Sequence, residues 1–201
     1  MIYPGRLRRH PIATVALLVL LGLAVLDRGF AWFGRSDDYS RYHNRSYRVV
    51  NVVDGDTFDV DIGDGRFPTT RIRLWGVDTP EVAGSRDGEM YYGPQASAFA
   101  RDMLTDKAVR VVLSPTKTRG KYGRLLAYVY IEPGGRCVNE RLLETGHAYA
   151  DWRFDHPRKR EFEAIEDRAR RQAVGLWSEV TPERFPPWRR RMEGASDDGV
   201  K

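Results

Sequence analysis

The chain has 201 residues, 41% of them hydrophobic and 30% charged, with a net charge of +5 and a pI near 9.4. This is enough for one compact domain with appendages and too short for two, and the apolar content excludes a disordered chain. The single cysteine, Cys137, excludes an intramolecular disulfide framework and a multi-cysteine metal site and reads as a buried apolar side chain; the basic balance suits a polyanionic partner or an anionic membrane surface.

In chain order, Arg6, Arg8 and Arg9 precede a nearly unbroken apolar stretch from Ile12 to Leu26, followed by Asp27, Arg28 and the interface-type residues Phe30, Ala31, Trp32 and Phe33. This pattern predicts an export segment over residues 1–33, a signal anchor that crosses the membrane through residues 11–33. Cleavage as a signal peptide, with secretion of the body, is the alternative, because Gly22/Ala24 and Gly29/Ala31 are small-x-small pairs. The excess of arginine before the apolar stretch places the body outside the cytoplasm, in the periplasm or at the cell exterior. Residues 34–46 are polar and aperiodic and read as a solvated tether.

From Tyr47 the chain shows five short β-type runs, Val49–Val53, Phe58–Ile62, Thr70–Leu74, Val109–Leu113 and Leu125–Ile131. In the second, Phe58, Val60 and Ile62 alternate with Thr57, Asp59 and Asp61, predicting one buried and one wet face, and Gly63-Asp64-Gly65 supplies a turn. Pro94 opens a helix through Ala96, Phe99, Ala100 and Met103. Asn139 is placed to cap a second, carrying Leu142 and Leu143 and stopping at Gly146. A third follows Pro157, with Phe162, Ile165 and Ala169 on one face and Gly175 closing it. The predicted architecture is α+β, mainly β: a five-stranded barrel with three helices packed on it. The domain spans residues 47–180, and residues 181–201 read as a flexible basic tail.

The chemistry concentrates in Val53-Asp54-Gly55-Asp56-Thr57, Arg71-Ile72-Arg73-Leu74-Trp75-Gly76-Val77-Asp78-Thr79-Pro80-Glu81 and Lys121-Tyr122-Gly123-Arg124. Each piece alone has an ordinary reading, as a turn, a helix cap or exposed strand charges. Together they supply what phosphodiester hydrolysis needs. Asp56 and Asp78 offer hard oxygens for a divalent cation, Glu81 a base for water, and Arg73 with Arg124 guanidinium forks for phosphoryl oxygens.

These motifs, with Tyr92-Gly93-Pro94-Gln95-Ala96-Ser97-Ala98-Phe99, Leu125-Leu126-Ala127-Tyr128, Val138-Asn139-Glu140 and Gly175-Leu176-Trp177-Ser178, resemble the staphylococcal nuclease (thermonuclease) family from about Tyr47 to Ser178. The resemblance implies an OB-type barrel and a calcium ion held by Asp56, Asp78 and the carbonyl of Thr79, with Asp54 in the outer shell. It implies Glu81 as general base and Arg73 and Arg124 as the catalytic arginines. Lys121 and Tyr122 become nucleotide-phosphate contacts, and the activity is cleavage of DNA and RNA with little sequence preference, leaving 3′-phosphate ends. Trp152 and Phe154 stand where the family has stacking tyrosines; stacking on substrate and packing in the core are both open to them. Nothing in the sequence suggests more than a monomer. A non-catalytic OB module predicts missing acids or arginines, and a lipid-binding domain gives no reason for acids interleaved with arginines.

Overall fold

The computed structural model describes residues 38–85 and 87–194. The expected membrane segment at residues 1–33 lies outside the described residues, and among the described residues no helix is long and apolar enough to cross a membrane. The chain divides into two compact units, residues 1–41 and 42–201, and every element named below belongs to the second.

The strands are β1 (Arg45–Val52), β2 (Thr57–Val60), β3 (Thr70–Leu74), β4 (Val77–Asp78), β5 (Ala108–Val112), β6 (Leu125–Glu132), β7 (Arg136–Cys137) and β8 (Tyr149–Ala150). The helices are α1 (Gly93–Leu104), α2 (Val138–Glu144), α3 (Lys159–Arg171) and α4 (Pro187–Glu193). β1 pairs antiparallel with β2 and β5, β2 with β3, and β5 with β6; a parallel pairing of β3 with β6, starting at Ile72 opposite Leu125, closes the ring. The result is a five-stranded OB-like barrel of the α+β class, without the open edges that would template further pairing. Its interior takes one face of each strand: Val49, Phe58, Val60, Ile72, Leu74, Val109, Val111, Leu125, Ala127 and Val129 are all buried. Helices α2 and α3 pack on it through Val138, Leu142, Leu143, Phe162, Ile165 and Ala169.

Four expectations are corrected. The barrel begins before Tyr47, because Tyr42 is buried with its hydroxyl 3.1 Å from Thr70 Oγ1, and Arg45 and Ser46 already pair with β5. These polar residues carry backbone pairing without an apolar signal. The second face of β2 is not wet, since Asp59 lies beneath the Arg71 guanidinium and the Asn51 amide. Asn139 does not cap α2. Wholly buried, it accepts from the Val129 amide at 3.1 Å and donates to the Trp75 carbonyl at 3.0 Å, joining barrel to helix. The segment expected to be a flexible tail is folded as far as Gly194: Pro182–Arg184 form a 3-10 turn and α4 follows, burying Phe185, Trp188 and Arg189. There Arg189 meets Glu166 at 2.5 Å, both side chains nearly inaccessible to solvent.

Candidate active site

The β1–β2 turn carries Asp54-Gly55-Asp56. It is closed by the amides of Val53 and Asp54, which donate to the Thr57 carbonyl, and by the Asp56 amide, which donates to Asp54 Oδ1 at 3.0 Å. Gly55 is needed there, because a Cβ would come within 2.6 Å of Thr79 Oγ1. That close approach brings the turn against the strand end holding Asp78 and Thr79. Asp56 Oδ2 accepts from the Thr79 amide at 2.9 Å, and Asp56 Oδ1 accepts from the Thr57 hydroxyl at 3.0 Å.

Arg73 on β3 lies between the two aspartates. Its guanidinium ion-pairs with Asp56 Oδ2 and donates to Asp78 Oδ1 at 2.6 Å. Two residues earlier on the same face, Arg71 points to half-exposed surface and pairs with Asp59 instead. Arg124, after the exposed turn of Lys121 and Tyr122, donates to Thr57 Oγ1 at 3.2 Å, with its guanidinium 5.7 Å from the Tyr122 ring centre. Glu81 stands at the rim, its carbonyl accepting from the Met90 amide at 2.9 Å. Gly93, at the start of α1, lets the helix lie against that carbonyl, which a Cβ there would strike.

These groups line one cleft of about 460 Å³, which also takes in Lys117, Asp151, Arg153 and Phe154. Of the expected site residues, Asp54, Asp56, Arg73, Asp78, Thr79, Glu81, Lys121, Tyr122, Arg124 and Phe154 are brought together. Trp152 is not among them. Its ring packs edge-on against Trp188, beneath the Arg189 guanidinium, in the core cluster of Tyr149, Leu176, Trp177 and Phe185. Phe154 is half-exposed, with the Lys117 ammonium and the Arg153 guanidinium each 5.5 Å from its ring centre. Strand alternation would put residues two apart on one face, but the chain turns at Trp152-Arg153 directly after β8, and the turn sends Trp152 and Phe154 to different environments.

Two residues that sequence reasoning passed over hold Asp78. Arg153 contacts Asp78 Oδ1 at 3.0 Å while its guanidinium also grips Asp151 at 2.7 and 2.8 Å. Trp188 Nε1 donates to Asp78 Oδ2 at 2.8 Å. The available signals were weak: an arginine between two aromatics, and a tryptophan after Pro186-Pro187 in a basic segment where exposing an indole would be costly.

Partial burial raises the Glu81 carboxyl above its ordinary value, and the charges of Asp78 and Asp54 add to the rise. Burial also raises Asp54, against the pull of Arg73. Arg124 is lowered by burial and then by the like charge of Arg73. Perturbed groups collected in one cleft mark a functional site. Could the cleft hold a divalent cation? Among the described residues no three acidic, histidine or cysteine side chains are grouped to do so. Two carboxylates that share one guanidinium nonetheless present hard oxygens to a common point, so the residues fit a hard cation held by two side chains and completed by backbone and water oxygens.

The sequence model of the family described as Staphylococcal nuclease homologue matches residues 71–179. The chain is 31% identical over 168 residues to a thermonuclease of Staphylococcus hyicus, covering 83% of this chain and 95% of the relative. It is 33% identical over 174 residues to a thermonuclease of Staphylococcus intermedius, covering 83% and 97%. With a micrococcal nuclease of Shigella flexneri it shares 32% over 157 residues, covering 74% and 83%.

Proposed function

Because the chain belongs to the staphylococcal nuclease family, we propose that it is an endonuclease hydrolysing phosphodiester bonds of DNA and RNA. Calcium dependence, little sequence preference and 3′-phosphate ends complete the reading. The observation that carries it is the convergence of Asp56, Asp78, Glu81, Arg73 and Arg124 on one cleft. A non-catalytic module would have no use for that combination.

A calcium ion held by Asp56, Asp78 and the Thr79 carbonyl, with Asp54 reaching it through water, would polarise a non-bridging phosphate oxygen. Glu81 takes or orients the proton of the attacking water, and its raised pKa brings it nearer the range where a base is effective at neutral pH. Arg124 meets the charge that builds on the phosphoryl oxygens. Its partial burial strengthens that interaction, since little solvent screens it. Arg73 holds the aspartates together, and its fork can exchange carboxylate for phosphate oxygens of the same geometry. Lys121 and Tyr122, exposed on the cleft, would meet the flanking backbone, and the half-exposed ring of Phe154 would offer a base a stacking surface. Such contacts read backbone charge and ring faces rather than base edges, which accounts for low sequence preference.

The apolar leader and the arginines before it support a body anchored outside the cytoplasm, or secreted if the leader is cleaved.

The test is cleavage of single-stranded DNA, duplex DNA and RNA by the full-length chain in non-ionic detergent, with calcium and then with excess chelator. Cleavage that requires calcium, is absent in Glu81→Ala and leaves ends needing a phosphatase before 3′ extension is expected. Binding without cleavage would replace this reading with that of a non-catalytic OB module.

A further inference from the structure

We infer that the C-terminal segment is part of the active site, and that Trp188 is a positioning residue whose indole N–H fixes the carboxylate of Asp78 for cation binding. The inference rests on the reading of Asp78 as a cation ligand.

Asp78 lies on β4, whose only strand partner among the described residues is β8, with Asp78 opposite Tyr149. This two-residue ladder is a slight support for a residue that must hold its geometry. The carboxylate is fixed instead by side chains on both oxygens: Arg73 and Arg153 on Oδ1, and Trp188 on Oδ2. The two arginines carry charge that competes with a cation for Asp78, and Arg73 is the group expected to turn toward phosphate. Trp188 is the neutral donor of the three. It sets the carboxylate plane without offsetting the negative charge that attracts the metal, as outer-shell donors do.

Packing alone does not account for this bond. The same cluster leaves the indole N–H groups of Trp152 and Trp177 buried without a hydrogen-bond partner. The Trp188 N–H, by contrast, is directed out of the cluster to an acid of the cleft. The ring itself is held firmly. It meets Tyr149 and Trp152 edge-on at 6.5 and 6.3 Å, and the Arg153 guanidinium sits 4.4 Å from its centre. Behind it, Arg189 anchors α4 to α3 through Glu166 and to Glu193 within α4. A rigid donor on a docked helix spans 110 residues of sequence to reach Asp78.

The experiment is calcium binding by calorimetry on the full-length chain in detergent, comparing wild type, Trp188→Phe and Phe185→Leu. Trp188→Phe keeps an aromatic ring and removes the donor, and should weaken calcium affinity about tenfold, with turnover recovered at high calcium. Phe185→Leu disturbs the same cluster without touching Asp78 and should bind calcium as wild type does. Unchanged affinity in Trp188→Phe, or an equal loss in Phe185→Leu, overturns the inference. If Trp188→Phe does not fold, the unaltered protein labelled with 15N at its indoles decides the matter: the Trp188 N–H resonance should move on calcium addition while that of Trp177 stays, and a stationary Trp188 signal would overturn it. A wild-type chain that binds no calcium removes the reading of Asp78 as a ligand, whereas wild-type binding with an indifferent Trp188 removes only this inference.

Discussion

Asp56 and Asp78 share the same guanidinium, yet different regions of the molecule hold them. Asp56 sits in a tight turn of the barrel, and its oxygens are met by Thr57, its neighbour in sequence, and by Thr79, the residue after β4. Asp78 leaves the barrel on a two-residue strand and is met by Arg153, in the turn after β8, and by Trp188, on the C-terminal helix. The barrel side of the cleft is built by β-ladder register and one close backbone approach. The other side is built by an aromatic cluster and a docked C-terminal helix. Half of the site is thus as robust as the closed sheet, and the other half depends on how well a short, separately anchored segment stays in place.

The largest effects are expected on the barrel side. Glu81→Ala and Arg124→Ala should each lower turnover about 10³-fold with little change in melting temperature, since neither side chain is part of the core. Steady-state rates on single-stranded DNA check this, and near-wild-type turnover in either variant would sink the assignment. On the other side the first effect is on stability. Arg189→Ala leaves Glu166 buried without its cation and should cost about 3 kcal/mol in denaturant unfolding. A loss near zero would mean that the C-terminal helix is not docked in solution. Asp56→Ala should weaken calcium binding about 100-fold, more than an outer-shell change would, while the barrel still folds; calorimetric affinity equal to wild type would count against Asp56 as a ligand.

Two smaller predictions separate site from scaffold. His156 is buried with Nδ1 at 2.9 Å from the Tyr128 hydroxyl, and burial lowers its pKa below 6.5. The unfolded chain therefore takes up the proton first. Stability should be full above about pH 6.5 and fall as pH drops from there toward the lowered folded value, by up to about 1.4 kcal/mol per pH unit from this group. His147, lowered by the same cause, adds a similar slope. Unfolding curves of His156→Gln should show a shallower dependence over that range, and an unchanged slope would assign the effect elsewhere. Least affected should be Arg71→Ala. Although Arg71 shares a strand face with Arg73, its side chain is 52% exposed against 13%, so stability should change by less than about 1 kcal/mol and turnover should not change. A large loss of turnover would show that the substrate track extends beyond the cleft.

Local pattern made much of this readable in advance. The five runs of β-branched residues became the five barrel strands to within a few residues, because alternation and turn residues act over short range. Asp56, Arg73, Asp78, Glu81 and Arg124 stood out because phosphodiester chemistry restricts residue types, Asp54 and Thr79 only through the family resemblance, and one cleft collects all seven. Less was legible where a residue's role depends on a distant partner. Asn139 has the composition of a cap and serves as a buried bridge between barrel and helix. Trp152 and Phe154, two residues apart and both aromatic, part company into core and cleft.

By itself, then, the sequence determined the barrel, the set of reactive groups and the family, since periodicity, turn chemistry and motif spacing are properties of neighbouring residues. Only the tertiary structure decided what each of the two β3 arginines holds, Arg73 the pair Asp56 and Asp78 and Arg71 the distant Asp59, and that the basic C-terminal segment folds back to hold Asp78. Arg71 and Arg73 are equivalent in local pattern and differ in their partners: the β2–β3 register sets Asp59 beside Arg71, whereas the β1–β2 turn and β4 bring Asp56 and Asp78 to Arg73. Trp188 gains its partner through packing across 110 residues, a contact that no local propensity encodes.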